Sequence, residues 1–282
     1  MAKSKQFSFD DINAELANLN PLGSVMSNSS FSDVTEWIDT GNYHLNACVS
    51  GSLFGGWPNN RSCSIAGPSG TGKTYLILNS IRRAIDMGYN IIFYDSEAAV
   101  DKTLMKKFGI DTDKVNYQPI NTVQEFRSSV TTITKRMQEA KRGGAELPKM
   151  MIILDSAGNL ATQKEIDDAV SGSEKSDMTR SKILKSIFRI IMTPMADLKI
   201  PFLFTNHTYQ TQDFISRQVA GGGTGPEYAA SIVLFLGKAQ LKDSSGEKAG
   251  IIVSAKPNKN RFAKPHPIKF HLHFSEGMNR YV

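Results

Sequence analysis

Eight consecutive residues, Gly67-Pro68-Ser69-Gly70-Thr71-Gly72-Lys73-Thr74, have the spacing G-x-x-x-x-G-K-[ST]. Glycines at these positions let the backbone curl until successive N–H groups face inward, which makes a cradle for phosphate oxygens. The lysine neutralises the outer phosphates of a nucleotide, and the following hydroxyl is a ligand for Mg²⁺. Hydrolysis asks for more than a cradle, and three further polar residues each close an apolar run. Asp155 ends the run at 149–154, where an acid holds Mg²⁺ directly or through water. Glu97 follows the run at 90–95 and is placed to orient or deprotonate an attacking water. His207 follows the run at 201–206 and stands between that strand and a glycine-rich stretch, the position of a γ-phosphate sensor. An acid at a strand end also serves as a helix cap, and a lone histidine is more often structural. The roles therefore depend on where the strands put these residues.

The scaffold that must position them alternates strand and helix. Residues 61–66 read as a short strand entering the phosphate cradle. Leu76, Ile77, Ile81 and Ile85 then repeat at helical spacing. Further strands are expected at 90–95, 115–119, 149–155 and 201–206, with helices near 100–108 and 122–141 and around Ile183, Leu184, Ile187, Phe188 and Ile191. An unbroken apolar run such as Met150–Leu154 fits a central parallel strand, apolar on both faces. Three later strands, at 231–236, 250–255 and 267–274, are joined by turns such as Asp243-Ser244-Ser245-Gly246 and suggest an antiparallel extension. Residues 163–179 and 208–227 are expected as long loops, and loops of that length tend to be functional. The approach at 37–60 is rich in glycine and reads as loop.

Residues 1–36 form a separate appendage. Asp10 or Asp11 is expected to cap a short helix with Ile12, Leu16 and Leu19 on one face, and residues 27–32 read as a linker. One short amphipathic helix has no core of its own and must dock elsewhere. The whole chain of 282 residues, 40% hydrophobic, suits one α/β domain with this appendage. Its two cysteines, Cys48 and Cys63, have no metal-ligand spacing and are too few for a disulfide framework. No apolar run approaches the ~18 residues of a membrane span, and the N-terminus lacks a leader pattern. These features suggest a soluble protein in a reducing compartment. The net charge of +6 lies entirely in residues 238–282, which hold 9 basic and 3 acidic side chains. Such a patch suits a polyanion, or is a solvated basic face.

Taken in order, Phe93-Tyr94-Asp95-Ser96-Glu97, Ile153-Leu154-Asp155-Ser156-Ala157-Gly158-Asn159-Leu160, Ser176-Asp177-Met178-Thr179-Arg180, Thr205-Asn206-His207-Thr208-Tyr209 and Gly221-Gly222-Gly223-Thr224-Gly225-Pro226 give a further indication. With the phosphate cradle, they make residues 37–282 resemble the RecA-type recombinases, most nearly the branch carried by T4-like phages. The resemblance implies an α/β P-loop NTPase fold with a mostly parallel central sheet, flanking helices and an antiparallel C-terminal extension. It implies ATP and Mg²⁺ as cofactors, residues 67–74 and Asp101 as nucleotide contacts, and Thr74 and Asp155 as metal ligands. Glu97 would be the catalytic glutamate, Lys73 and His207 its companions, and Lys259 and Arg261 a basic pair reaching the ATP of the neighbouring subunit. Leu104 stands where bacterial members stack an aromatic ring. Residues 163–179 and 208–227 correspond to the two DNA-binding loops, and the N-terminal helix to a segment that packs on the adjacent protomer.

The implied activity is DNA-dependent ATP hydrolysis coupled to homologous pairing and strand exchange, by a helical filament on single-stranded DNA in the cytoplasm. The implied partners are single-stranded DNA, homologous duplex DNA and, for a phage-encoded protein, single-strand-binding and mediator proteins. The rival expectation is a RecA-fold ATPase serving as a ring motor or regulator. Phage members also continue beyond the point equivalent to Val282.

Overall fold

Runs such as Ile91–Tyr94, Met151–Leu154 and Phe202–Phe204 have no polar face to offer water, and each is buried along its length. They can be accommodated only in the middle of a sheet covered on both sides. The computed structural model describes residues 7–172, 179–210, 218–220 and 225–281. In chain order it contains α1 (Phe9–Leu19), β1 (Trp37–Ile38), α2 (Tyr43–Ser50), β2 (Trp57–Pro58), β3 (Ser62–Gly67), α3 (Lys73–Asp86) and β4 (Asn90–Asp95). Next come α4 (Lys102–Lys107), β5 (Val115–Pro119), α5 (Val123–Arg142), β6 (Met150–Asp155), α6 (Gln163–Ser171), α7 (Arg180–Asp197) and β7 (Phe202–Gln210). The last elements are β8 (Gln218–Ala220), α8 (Gly225–Ala229), β9 (Ile232–Lys242), β10 (Lys248–Asn260), β11 (Ile268–His273) and β12 (Gly277–Met278).

The main sheet has the order β12-β11-β10-β9-β3-β7-β6-β4-β5, with β8 paired on the extended end of β7. From β9 to β5 every pairing is parallel, and from β9 to β12 every pairing is antiparallel. This is the mixed sheet expected from the sequence. Side-chain alternation divides its strands between two cores. Ile65, Phe93, Ile153 and Leu203 pack with Leu76, Ile77 and Ile81 of α3 and with Leu45 of α2. Ile152, Leu154, Phe202 and Phe204 face the other way, onto Phe126 and Val130 of α5 and Leu184, Ile187 and Phe188 of α7. Burying each such side chain stabilises the fold by about 1.5–3 kcal/mol.

Because the central strands run the same way, their carboxyl ends emerge at one edge. Register fixes the result: Gly67 lies beside His207, and Asp95 beside Asp155.

Several local expectations are corrected. Residues 43–50 form α2 rather than loop. Asn42 caps it by accepting from Leu45 N at 2.9 Å, and Gly51, at φ 84°, ends it. Residues 163–171 form α6, started by a reciprocal capping box between Thr162 and Glu165, so that stretch is helical where a loop was expected. The rest of the 163–179 expectation, residues 173–178, lies outside the described residues. Within 208–227, residues 208–210 and 218–220 pair as antiparallel strands and α8 begins at Gly225; residues 211–217 and 221–224 lie outside the described residues. Helix α1 is capped by Ser8, with Asp11 supplying the other half of the box, rather than by either aspartate. Burial raises both thiols, Cys48 to about 11 and Cys63 further. Among the described residues no helix is long and apolar enough to cross a membrane.

Candidate nucleotide-binding site

Strand β3 stops at Gly67 and α3 starts at Lys73, so residues 68–72 make the turn between them. Gly70 and Gly72, with φ 71° and 89°, occupy backbone geometry that side chains disfavour. Gly72 stands at the cap position of α3, which leaves this 14-residue helix without a side-chain cap. Its first N–H groups and the positive end of its dipole are thus presented to an anion. Thr71 Oγ1 donates to the Pro68 carbonyl at 2.8 Å and firms the loop. Lys73 Nζ donates to the carbonyls of Gly67 and Pro68 at 2.9 and 3.0 Å and so lies across it. Burial pushes the Lys73 pKa down, against the pull of Glu97 and Asp155, and Lys238 adds to the depression. Lys238 itself reaches over from β9 and donates to Ser69 O at 2.9 Å.

Asp155 is buried at the end of β6. Its Oδ2 accepts from Thr74 Oγ1 at 2.8 Å and its Oδ1 accepts from Thr205 Oγ1. Burial raises its pKa above the usual carboxylate value; the two hydroxyls oppose that, and the charges of Glu97 and Asp95 reinforce it. A divalent cation would relieve such a carboxylate, and the adjacent Thr74 hydroxyl is a second oxygen ligand. The described residues hold no group of three or more His, Cys, Asp or Glu side chains able to bind a metal. The pair Thr74 and Asp155 offers two oxygens of the kind that a hard divalent cation takes.

Glu97 Oε1 accepts from Ser156 Oγ at 2.7 Å and pairs with His207 Nε2 at 2.9 Å. Burial raises the Glu97 pKa, but these two hydrogen bonds and the neighbouring charges of His207 and Lys73 outweigh it and leave the carboxyl below its ordinary value. The turn that carries Glu97 is held from beneath. Asp95 Oδ1 accepts from the N–H groups of Glu97 and Ala98, both at 2.8 Å, while Asp95 Oδ2 accepts from the Tyr117 hydroxyl at 3.0 Å. A second rung ties β4 to β6, because Ser96 Oγ both donates to Ser156 O and accepts from Ser156 N at 2.9 Å. An ionised glutamate beside a cradle, a metal pair and a histidine is equipped to activate water at a terminal phosphate.

Lys73, Thr74, Asp155, Glu97 and His207 thus converge on one edge, with the cradle 67–74. The other named residues lie elsewhere. Asp101 caps α4, accepting from Leu104 N at 2.6 Å, and lines a cavity of about 390 Å³ with Met105, Val115 and Tyr117. A different cavity of about 590 Å³, lined by Tyr75, Leu104, Phe108 and Phe274, opens beside the first turn of α3. Lys259 is level with Ser64 across β9, and Arg261 lies beyond it. At about 3.3 Å per strand residue, Arg261 falls roughly 16 Å short of Gly67, towards the opposite edge of the sheet. Ser156, Thr205, Lys238 and the Asp95–Tyr117 pair were not identified from sequence. Only Asp95 and Ser156 carried a signal, as neighbours of Glu97 and Asp155.

The RecA N-terminal domain family matches residues 12–279. The "Recombination and repair protein" of Enterobacteria phage T4 is 32% identical over 231 residues, which cover 81% of this chain and 57% of the T4 protein. "Protein RecA" of Arthrobacter sp. strain FB24 is 25% identical over 248 residues, 87% of this chain and 66% of that protein. For "Protein RecA" of Helicobacter pylori strain P12 the identity is 25%, over 86% of this chain and 67% of the relative. The chain therefore spans only part of the curated relatives it matches, 57% in the case of the T4 protein. The cradle at the head of α3, the acids at the ends of β4 and β6 and the family match over almost the whole chain agree: this chain belongs to the RecA family.

Proposed function

We propose that the chain is an ATP-dependent DNA recombinase that assembles as a helical filament on single-stranded DNA and pairs it with homologous duplex. The observation that carries the reading is the division of the site. Lys73, Thr74, Asp155, Glu97 and His207 stand at one edge of the sheet, and Arg261 points from the other. Lys73 and Lys238 serve the cradle from within the chain, whereas the charge of Arg261 would meet a terminal phosphate only in a second copy. ATP would lie in the cradle with its base toward the cavity by Tyr75 and Leu104. Mg²⁺ between Thr74 and Asp155 would supply charge to the phosphates. Glu97, held by Ser156 and His207, orients and deprotonates the attacking water. His207 passes the state of the site to the segment after β7, which with residues 163–179 would grip DNA mainly by its phosphates, leaving bases free to pair.

Residues 1–36 serve as the assembly arm and 37–282 as the ATPase core. Work in the bacterial cytoplasm, beside single-strand-binding and mediator proteins of a phage, suits this role. The test is ATP hydrolysis with and without single-stranded DNA. Strong stimulation is expected, with Lys73→Ala reducing the rate at least ~100-fold. Turnover indifferent to DNA would instead support a ring motor, and wild-type rates for Lys73→Ala would remove the site assignment.

A further inference from the structure

Strand β9 runs parallel to β3 as far as Phe235, which lies beside Ala66. Strand β3 then turns away at Gly67 into the cradle, while β9 continues to Lys242. A Cβ on Gly67 would meet the Leu236 carbonyl at 2.8 Å, so β9 forms one wall of the cradle. Leu236 is buried in the core beneath, and strand residues two apart share a face, so Lys238 projects from that same face about 7 Å further on. That places it over the loop. Its Nζ donates to Ser69 O at 2.9 Å and would stand 2.7 Å from a Cβ on Gly70. Lys73 Nζ takes the two preceding carbonyls, those of Gly67 and Pro68, so the two ammonium groups sit on three consecutive oxygens of the cradle. Burial lowers the Lys73 pKa, Glu97 and Asp155 pull it up, and the charge of Lys238 lowers it again. Lys238 is exposed and joins no acid in an ion pair among the described residues. Its base is rigid, because it pairs with Val253 of β10, a fully buried residue that a Cβ on Gly72 would touch at 3.8 Å.

Two like charges on adjoining neutral carbonyls mark a place for an anion of more than one charge. A phosphate oxygen attracts an ammonium more strongly than a carbonyl does, because both ends of the hydrogen bond are then charged. The lysine of such a loop serves the outer phosphates of a nucleotide, and Lys238 stands on the next carbonyl along. We propose that Lys238 is a second phosphate-binding lysine of the same chain, which leaves the Ser69 carbonyl for an oxygen of the terminal phosphate when a nucleoside triphosphate enters the cradle. It lies outside the loop motif and reaches the site only through the length of β9. In hydrolysis Glu97 takes a proton from the attacking water, the water oxygen bonds to phosphorus as the bond to the bridging oxygen breaks, and that electron pair leaves with the diphosphate. Lys238 stays protonated throughout and offsets charge on the terminal oxygens. A nucleoside diphosphate leaves Lys238 on Ser69 O, so the lysine distinguishes the two nucleotides within one chain. The inference rests on the placement of ATP in the cradle proposed above, and its test separates the two.

Lys238→Gln and Lys238→Arg are compared with the parent and with Lys73→Ala in the full chain, by titration calorimetry of β,γ-imido-ATP and of ADP with Mg²⁺ and without DNA. Melting curves check that each variant folds. Lys238→Gln is expected to weaken binding of the imido analogue about tenfold while ADP binding stays within about twofold, with Lys238→Arg close to the parent. The DNA-stimulated rate should fall about 10- to 100-fold in Lys238→Gln. Equal losses for both nucleotides, or for neither, would overturn the inference while the cradle stands. A parent that binds neither nucleotide, or a Lys73→Ala variant that binds both as the parent does, would remove the cradle reading itself. Mixed in equal amounts with Lys73→Ala, Lys238→Gln should gain no turnover, because no cradle in the mixture then has both lysines. Restored turnover would place Lys238 at the nucleotide of another copy and overturn the assignment to its own chain.

Discussion

Ionising Asp155 costs stability. Its folded pKa is raised mainly by burial, so the folded chain favours the protonated acid and loses stability as pH rises through the ordinary aspartate value. Asp155→Asn removes that charge while keeping the shape. The metal-free variant is expected to melt about 2 °C higher than the parent, with hydrolysis abolished. Thermal melts without Mg²⁺ check the first outcome and phosphate release the second.

Glu97 has the opposite sign. Its lowered value means that the contacts with Ser156 and His207 stabilise the fold above the ordinary glutamate pKa and are lost as pH falls through the depressed one. His207→Ala should raise the carboxyl titration of Glu97, read by carbon NMR of labelled glutamate; an unmoved titration would deny the contact any electrostatic role. Residues of this kind were legible in the sequence because their type is unusual where they stand, as with an acid closing an apolar run. Thr205 and Lys238 were not, since a hydroxyl or lysine on a strand has no signature until register brings it against its partner.

The edge on which these residues meet is made by elements, and its fit is tight at Gly158. A Cβ there would stand 2.5 Å from Asn206 Oδ1, in the middle of β7 just before His207. Gly158→Ala is therefore expected to reduce hydrolysis about tenfold by displacing Asn206 and with it the adjoining His207, and also to lower the melting temperature, because Asn206 is fully buried. Steady-state rates and melts on the same sample separate the two effects. At this scale the parallel strands were legible from their doubly apolar runs, and their bounds were met within a few residues. Helix α2 escaped notice because eight residues between glycines give too few turns to display a period. The polar face of α6 concealed a helix whose one clear signal is the pair Thr162 and Glu165, three apart. The strands β9 and β10 run on past their apolar parts, where backbone pairing alone continues them.

Considered as a whole body, the molecule leaves α1 without a core. None of its residues is buried, and Phe9, Leu16 and Leu19 are 68%, 54% and 82% exposed. The chain after it is tied down at residues 30–33, where Lys199 Nζ donates to Ser30 O and Asp33 O at 2.8 Å. The double substitution Leu16→Glu, Leu19→Glu is thus expected to leave the melting of a single chain within about 0.5 kcal/mol of the parent. It should prevent nucleotide-dependent assembly, as sedimentation velocity would report. That α1 has no core of its own was legible from its size; the proposal that it docks on an adjacent copy comes only from resemblance. The placement of Arg261 and the cradle at opposite edges of one sheet also has an arithmetic. If the proposed site is shared between copies, a row of n chains open at both ends would enclose n − 1 complete sites, so output per chain should climb as the row lengthens and a pair should work at half capacity. A closed circle has no incomplete member, so the dependence of specific rate on row length distinguishes an open polymer from a closed one.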